Sequence, residues 1–194
     1  MITGCTLFQK FDPEYRKKDV SQMIERALKY IHASQQPNNL WYGAWGICFL
    51  YGTMFALEAL ALNGEHYENS ESVRRACNTI IDHRMEDGAW GESYRACETM
   101  QWVDNPNGSQ VVGTCWAVIG LLHARYPDRA PVAKALKVVA KRQQRSGEFL
   151  QESIEGVFNK SCMISYPNYK LYFPIKAFGM YARVYGNGPL QGES

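Results

Sequence analysis

The sequence predicts an all-α fold, on three observations. Apolar residues recur at helical spacing in several separate windows, no stretch sustains the period-two alternation of a sheet, and one helix-turn-aromatic unit occurs three times along the chain. The first amphipathic window holds Met23, Ile24, Ala27, Leu28 and Ile31. Between Trp41 and Leu62 there is a single charge, Glu58, over a length close to the ~20 residues of a membrane span. Gly43, Gly46 and Gly52 interrupt that stretch, so it reads as a buried helix entered through a glycine-rich turn. Val73, Ala76, Cys77, Ile80 and Ile81 form the next amphipathic helix, and Val111 to Leu122, apolar almost all round, an inner one. Val132, Ala135, Leu136, Val138 and Val139 repeat the pattern beside Lys134, Lys137, Lys141 and Arg142. A last helix runs from Tyr172 or Pro174 to about Tyr185, and Val157 to Ile164 has room for a short strand.

The repeat emerges when the amphipathic windows are superposed on Ala27, Ala76 and Ala135. Four residues on stand Ile31, Ile80 and Val139; eight on, Gln35, Arg84 and Gln143; twelve on, Asn39, Gly88 and Gly147; fourteen on, Trp41, Trp90 and Phe149. Each unit is a helix, a polar residue at its end, a tight turn suited to a left-handed residue, and an aromatic ring that packs back on the helix. The closing rings are 49 and then 59 residues apart, which fits a ring or barrel of unequal helices better than a uniform solenoid.

Composition narrows the function. With 194 residues, 46% hydrophobic and 21% charged, the chain has material for a sizeable core, and disorder is excluded. A net charge of +2 leaves no surplus to bind nucleic acid. The six cysteines show no metal-ligand spacing with one another or with the four histidines, and no apolar leader follows Met1 to Thr6, so reduced, buried thiols are expected. There is no Asp-rich Mg²⁺ motif, no phosphate loop and no Gly-x-Ser-x-Gly elbow, so no metal and no cofactor is expected. Asp82-His83 and Glu86-Asp87 read as a solvated charged face, and His32, His66 and His123 receive the same reading. Aromatic content is high at 13%, and such rings either fill a core or wall a pocket for a large apolar ligand.

The segments Asp87-Gly88-Ala89-Trp90-Gly91-Glu92 and Gln143-Gln144-Arg145-Ser146-Gly147-Glu148-Phe149 resemble the QW repeats of the squalene and oxidosqualene cyclases. More specific are Trp41-Tyr42-Gly43-Ala44-Trp45-Gly46-Ile47-Cys48-Phe49 and Gly156-Val157-Phe158-Asn159-Lys160-Ser161-Cys162-Met163-Ile164-Ser165-Tyr166, which are similar to the oxidosqualene cyclases of the lanosterol-forming branch. Tyr166-Pro167-Asn168-Tyr169 and Phe173-Pro174-Ile175-Lys176-Ala177 resemble the fungal members, and the similarity runs from about Cys5 to Tyr185.

That resemblance implies part of an (α/α) barrel of the squalene/oxidosqualene cyclase type, with residues 1–194 as one C-terminal segment of an incomplete barrel. It implies an isomerase acting on (3S)-2,3-oxidosqualene, in which Trp45 and Phe158 match cation-stabilising rings. Cys162, Tyr166 and Tyr169 match positions at the substrate cavity wall and behind it. The family's epoxide-protonating aspartate belongs to an Asp-Cys-Thr-Ala-Glu motif that does not occur here, so the isolated chain is expected to be inactive. The amino-terminal lobe is the implied partner, and peripheral, monotopic attachment of the full enzyme to endoplasmic reticulum membrane or lipid droplet the implied location. The alternative is a non-catalytic helical module that binds a sterol, a triterpene or another polypeptide. Arg84, Phe149 and Ala44 depart from the family pattern; Phe149 lacks the indole N–H, and Arg84 needs a carboxylate or water.

The chemistry suits the residues. Polyene cyclisation moves a positive charge along an apolar carbon chain, so the site needs ring faces of negative quadrupole and no nucleophile that would capture the cation.

Overall fold

The structure is a computed structural model and describes residues 2–186. Its helices are α1 (Ile2–Phe11), α2 (Lys17–Ser34), α3 (Cys48–Leu62), α4 (Glu71–Asp82), α5 (Arg95–Thr99), α6 (Val111–His123), α7 (Arg129–Arg142) and α8 (Tyr169–Tyr185). Between α7 and α8 lies one antiparallel hairpin, β1 (Gly156–Phe158) and β2 (Cys162–Ile164), with Phe158 opposite Cys162. Its turn places Asn159 and Lys160 at positive φ, 50° and 64°.

The helices alternate between two rows. An inner row runs α1, α3, α6, α8, each packed on the next; α2, α4 and α7 lie outside, each bridging two inner helices. Hydrophobic patterning decides the row: twelve of the thirteen residues of α6 are buried, whereas α4 and α7 bury one face each. No helix among the described residues is long and apolar enough to cross a membrane. Glu58, the lone charge of α3, sits half-buried between His123 Nε2 at 4.0 Å and Lys176 Nζ at 3.7 Å.

The three units share one geometry. Asn39, Gly88 and Gly147 have φ of 65°, 88° and 88°, the left-handed conformation their place in the turn requires. In each turn two backbone bonds recur at equivalent positions: Gln36 N–H to Leu40 O, Met85 N–H to Ala89 O and Gln144 N–H to Glu148 O, all 2.8–2.9 Å, and one from the left-handed residue back to Gln36, Met85 or Gln144. The Trp41 indole donates to Ile31 O at 2.7 Å and the Trp90 indole to Ile80 O at 2.6 Å, each satisfying a carbonyl in the last turn of a helix. Gln35 and Gln143 donate to the turn carbonyls of Asn39 and Gly147, and Gln35 also reaches Ser72 O at the start of α4. Arg84, at the matching position, is exposed, and Phe149 is buried without a donor to offer.

Acids in the turns hold the inner helices. Glu92, two residues after Trp90, is fully buried and accepts from Phe49 N–H and Leu50 N–H at 2.9 Å, capping the N-terminus of α3. Glu152, three residues after Phe149, accepts from Val111 N–H at 2.6 Å, capping α6, and pairs with Arg142. Each of these two inner helices is thus capped by a carboxylate from the following unit. Burial pushes the Glu92 carboxyl up to about 7, against the opposing pull of the backbone N–H groups of Leu50, Phe49 and Cys48.

Several expectations are corrected. Cys48 and Cys97 form a disulfide, Cα atoms 6.0 Å apart, because α5 packs against the start of α3; of the free thiols, Cys77 and Cys115 are buried, Cys5 partly so, and Cys162 exposed. Helices α1 and α5 were not expected, and α8 begins at Tyr169, carrying Pro174 within it. Asp87 is not simply solvated: it accepts from Ser109 Oγ and pairs with Arg142 at 3.2 Å. His123 is half-buried beside Glu58, and burial lowers its pKa.

Candidate functional site

Trp45 sits in the turn that enters α3, and Phe158 ends β1, 113 residues later. Their rings lie 5.1 Å apart at 30°, and with Tyr42, Ala44, Asn159 and Lys160 they line a cleft of about 300 Å³. Backbone pairing fixes this meeting. Val157 N–H donates to Trp45 O at 3.1 Å, Ile47 N–H donates to Glu155 O at 2.9 Å, and Gly46 bridges to Gly156. Both glycines are required by close approach: a Cβ on Gly46 would collide with the Tyr51 ring, and one on Gly156 with the Tyr166 ring.

A second aromatic group adjoins the first through Gly156. Tyr166 and Tyr169 stack at 4.6 Å; Tyr169 meets Trp116 edge-on at 5.9 Å and Phe173 at 5.2 Å; Trp116 meets Tyr51 at 5.3 Å. The Trp116 indole N–H is buried without a hydrogen-bond partner and is ringed by these aromatic groups. Cys162 is exposed and lies opposite Phe158 across the hairpin.

The sequence-derived residues therefore fall into two adjoining sets, Trp45 with Phe158 and Cys162, and Tyr166 with Tyr169. Sequence reasoning passed over Tyr42, which lines the cleft and packs edge-on against Phe49 at 5.8 Å. Tyr51, three residues into α3, is only partly buried and joins Gly46 to the second group. The signal for both was their place in the glycine-rich entry to α3.

Chemically, the surface offers ring faces and few nucleophiles. Trp45 is 54% and Phe158 41% exposed, so both faces are open to a ligand. Burial raises the Tyr51 and Tyr169 hydroxyls, keeping them neutral and able to donate hydrogen bonds without becoming phenolates. Burial also pushes the Cys77 thiol up to about 12 and raises that of Cys115. No cluster of three metal-ligating side chains occurs among the described residues.

Residues 5–183 match the family described as squalene-hopene cyclase C-terminal domain. The chain is 52% identical over 189 residues to lanosterol synthase erg7A of Aspergillus fumigatus, covering 97% of this chain and 25% of that protein. It is 48% identical over 184 residues to lanosterol synthase ERG7 of Saccharomyces cerevisiae, covering 95% of this chain and again 25% of that protein. The chain therefore spans about a quarter of the length of these relatives. Among solved structures, a variant of the type II terpene cyclase MstE from Scytonema, in complex with merosterolic acid A, superposes with a TM-score of 0.66 at 17% identity, covering 84% of this chain and 50% of that one. The likeness to that structure is one of fold.

Proposed function

Because the chain belongs to the squalene-hopene cyclase C-terminal domain family, we propose that it forms the C-terminal part of an oxidosqualene cyclase, one that turns (3S)-2,3-oxidosqualene into lanosterol or a related triterpene. The observation that carries this reading is the Trp45–Phe158 pair, two exposed ring faces 5.1 Å apart on a shared cleft. A cation migrating along the folded polyene meets negative ring quadrupoles there, and burial keeps the Tyr169 hydroxyl of the adjoining group from ionising to a phenolate. Tyr166 and Tyr169 continue the wall, and the stack holds their rings in place.

A ring over a desolvated cation stabilises it by about 2 kcal/mol or more, against ~0.5–1 at an exposed site. Closure of the cleft by the rest of the enzyme raises each ring toward the larger figure by excluding water. The proton that opens the epoxide comes from a residue outside this sequence, so the chain alone does not start the reaction.

The reading is tested by replacing the matching segment of the Aspergillus fumigatus lanosterol synthase with residues 5–183 and measuring product by mass spectrometry. Lanosterol formation is expected, and Trp45→Ala in the chimaera lowers it roughly 30-fold, the equivalent of about 2 kcal/mol. A folded chimaera that makes no cyclised triterpene, or one indifferent to Trp45→Ala, overturns the proposal. Cyclisation by the purified chain on its own contradicts the assignment of the acid elsewhere.

A further inference from the structure

One buried carboxyl group beside the aromatic wall has no part in the chemistry above. Glu155 is 6% exposed, and its Oε2 is buried without a hydrogen-bond partner. Its Oε1 accepts from Gln151 Nε2, and the Tyr166 backbone N–H faces the carboxyl group and favours its charged form. Its own carbonyl accepts from Ile47 N–H, two residues beyond Trp45, and the next residue is Gly156, against which the Tyr166 ring packs. Three segments meet at this residue: the 151–155 loop, the Trp45 turn and the approach to α8.

We propose that Glu155 is a positioning residue of the aromatic wall, its side chain holding Tyr166 while its backbone holds the Trp45 turn, so that the two aromatic groups keep one spacing. Being enclosed, the carboxyl group is kept from capturing a cation on the far side of the wall, which a carboxylate lining the cleft would do. The charged group that bears on it is Lys170, which, with the Tyr166 backbone N–H and the Gln151 amide, favours its ionised form; burial outweighs them and raises its pKa. The inference rests on reading the wall as a cation-stabilising surface, and its test separates the two.

The 194-residue chain is labelled with 5-fluorotryptophan, and the Trp45 signal among its five resonances is assigned with Trp45→Phe. In Glu155→Ala the Trp45 resonance moves, while those of Trp41 and Trp90, anchored in helix ends, stay. Glu155→Gln, which keeps an acceptor, leaves Trp45 at its original position. Between pH 4 and 8, in a Glu92→Gln background that removes the other buried carboxyl group titrating in this range, the Trp45 resonance follows one titration above the ordinary carboxyl range, and in Glu92→Gln/Glu155→Gln that response is lost. An unmoved Trp45 in folded Glu155→Ala, or a titration that persists in Glu92→Gln/Glu155→Gln, overturns the proposal. Should Glu155→Ala not fold, the Glu155→Gln titration decides alone. In the same samples N,N-dimethyldodecylamine, protonated at neutral pH, binds about fivefold more weakly to Glu155→Ala, the loss of one exposed ring contact. If the amine fails to bind the unaltered chain while Trp45 still responds to Glu155, the cation-wall reading falls and the positioning role stands.

Discussion

Removing the Glu92 charge is expected to abolish a pH dependence of stability that this residue imposes on the whole fold. Glu92 is fully buried and its carboxyl group is pushed up to about 7 from an ordinary value of 4.5. Below pH 4.5 it is protonated in both folded and unfolded chains. Between 4.5 and 7 only the folded chain holds the proton, so stability falls as pH rises; above 7 both states are ionised and the loss is complete. At 1.36 kcal/mol per unit, the window of about 2.5 units amounts to roughly 3 kcal/mol. Glu92→Gln keeps one carbonyl oxygen to accept from Phe49 or Leu50 N–H but cannot ionise. Urea unfolding at half-unit steps from about pH 4 to 8 then gives a difference curve, unaltered chain minus Glu92→Gln, that slopes down by about 3 kcal/mol and flattens above about pH 7. Glu92→Ala orphans two N–H groups at the start of α3 and costs about 2–6 kcal/mol at low pH, a cost that shrinks by the same roughly 3 kcal/mol as pH rises to about 7. A flat difference curve, or one rising with pH, refutes the reasoning, since the second means the helix N-terminus outweighs burial.

Three further outcomes follow from the geometry. Reduction of the Cys48–Cys97 bond, which closes a 49-residue separation, is expected to cost about 4 kcal/mol by chain entropy, read as a drop in urea midpoint between oxidised and reduced samples. Phe149→Trp places an indole N–H where Trp41 and Trp90 carry theirs, ten residues beyond an acceptor, here Val139 O. A gain of about 0.5–1 kcal/mol is expected, with Trp90→Phe losing at least as much; a loss on Phe149→Trp means the third unit does not share the geometry. Gly156→Ala forces the Tyr166 ring off its seat, so it lowers the melting temperature and shifts the near-ultraviolet tyrosine signal, whereas Gly179→Ala, which meets nothing, only gains helix propensity.

The repeating units were legible because each contact that builds them lies within about fifteen residues, and the same offsets recur from Ala27, Ala76 and Ala135. A left-handed turn residue and a ring that closes on the helix leave marks in local spacing. The Glu92 cap was not legible in that way: the side chain acts on a helix 42 residues earlier, and an acid in a turn reads as solvated. Its signal was the recurrence of an acid just past the ring, Glu92 after Trp90 and Glu152 after Phe149. The Cys48–Cys97 bond escaped notice because two cysteines 49 residues apart carry no spacing signature, and only the packing of α5 on α3 unites them. At the site, Trp45 and Phe158 entered through family resemblance, while their contact depends on the Gly46–Gly156 bridge, a pairing between distant segments. Helix α1 was hidden by polar Gln9 and Lys10 amid the apolar residues of a ten-residue window.

The central claim is that Trp45 and Phe158 together form a surface for a positive charge on an apolar chain. It is tested most directly by measuring the affinity of the chain for N,N-dimethyldodecylamine, protonated at neutral pH, against its uncharged carbon isostere. With each open ring contributing ~0.5–1 kcal/mol, the amine is expected to bind about 5- to 30-fold more tightly, an advantage lost in the Trp45→Ala, Phe158→Ala double variant. Equal affinity for the two ligands, or a preference for the amine that survives the loss of both rings, contradicts the account.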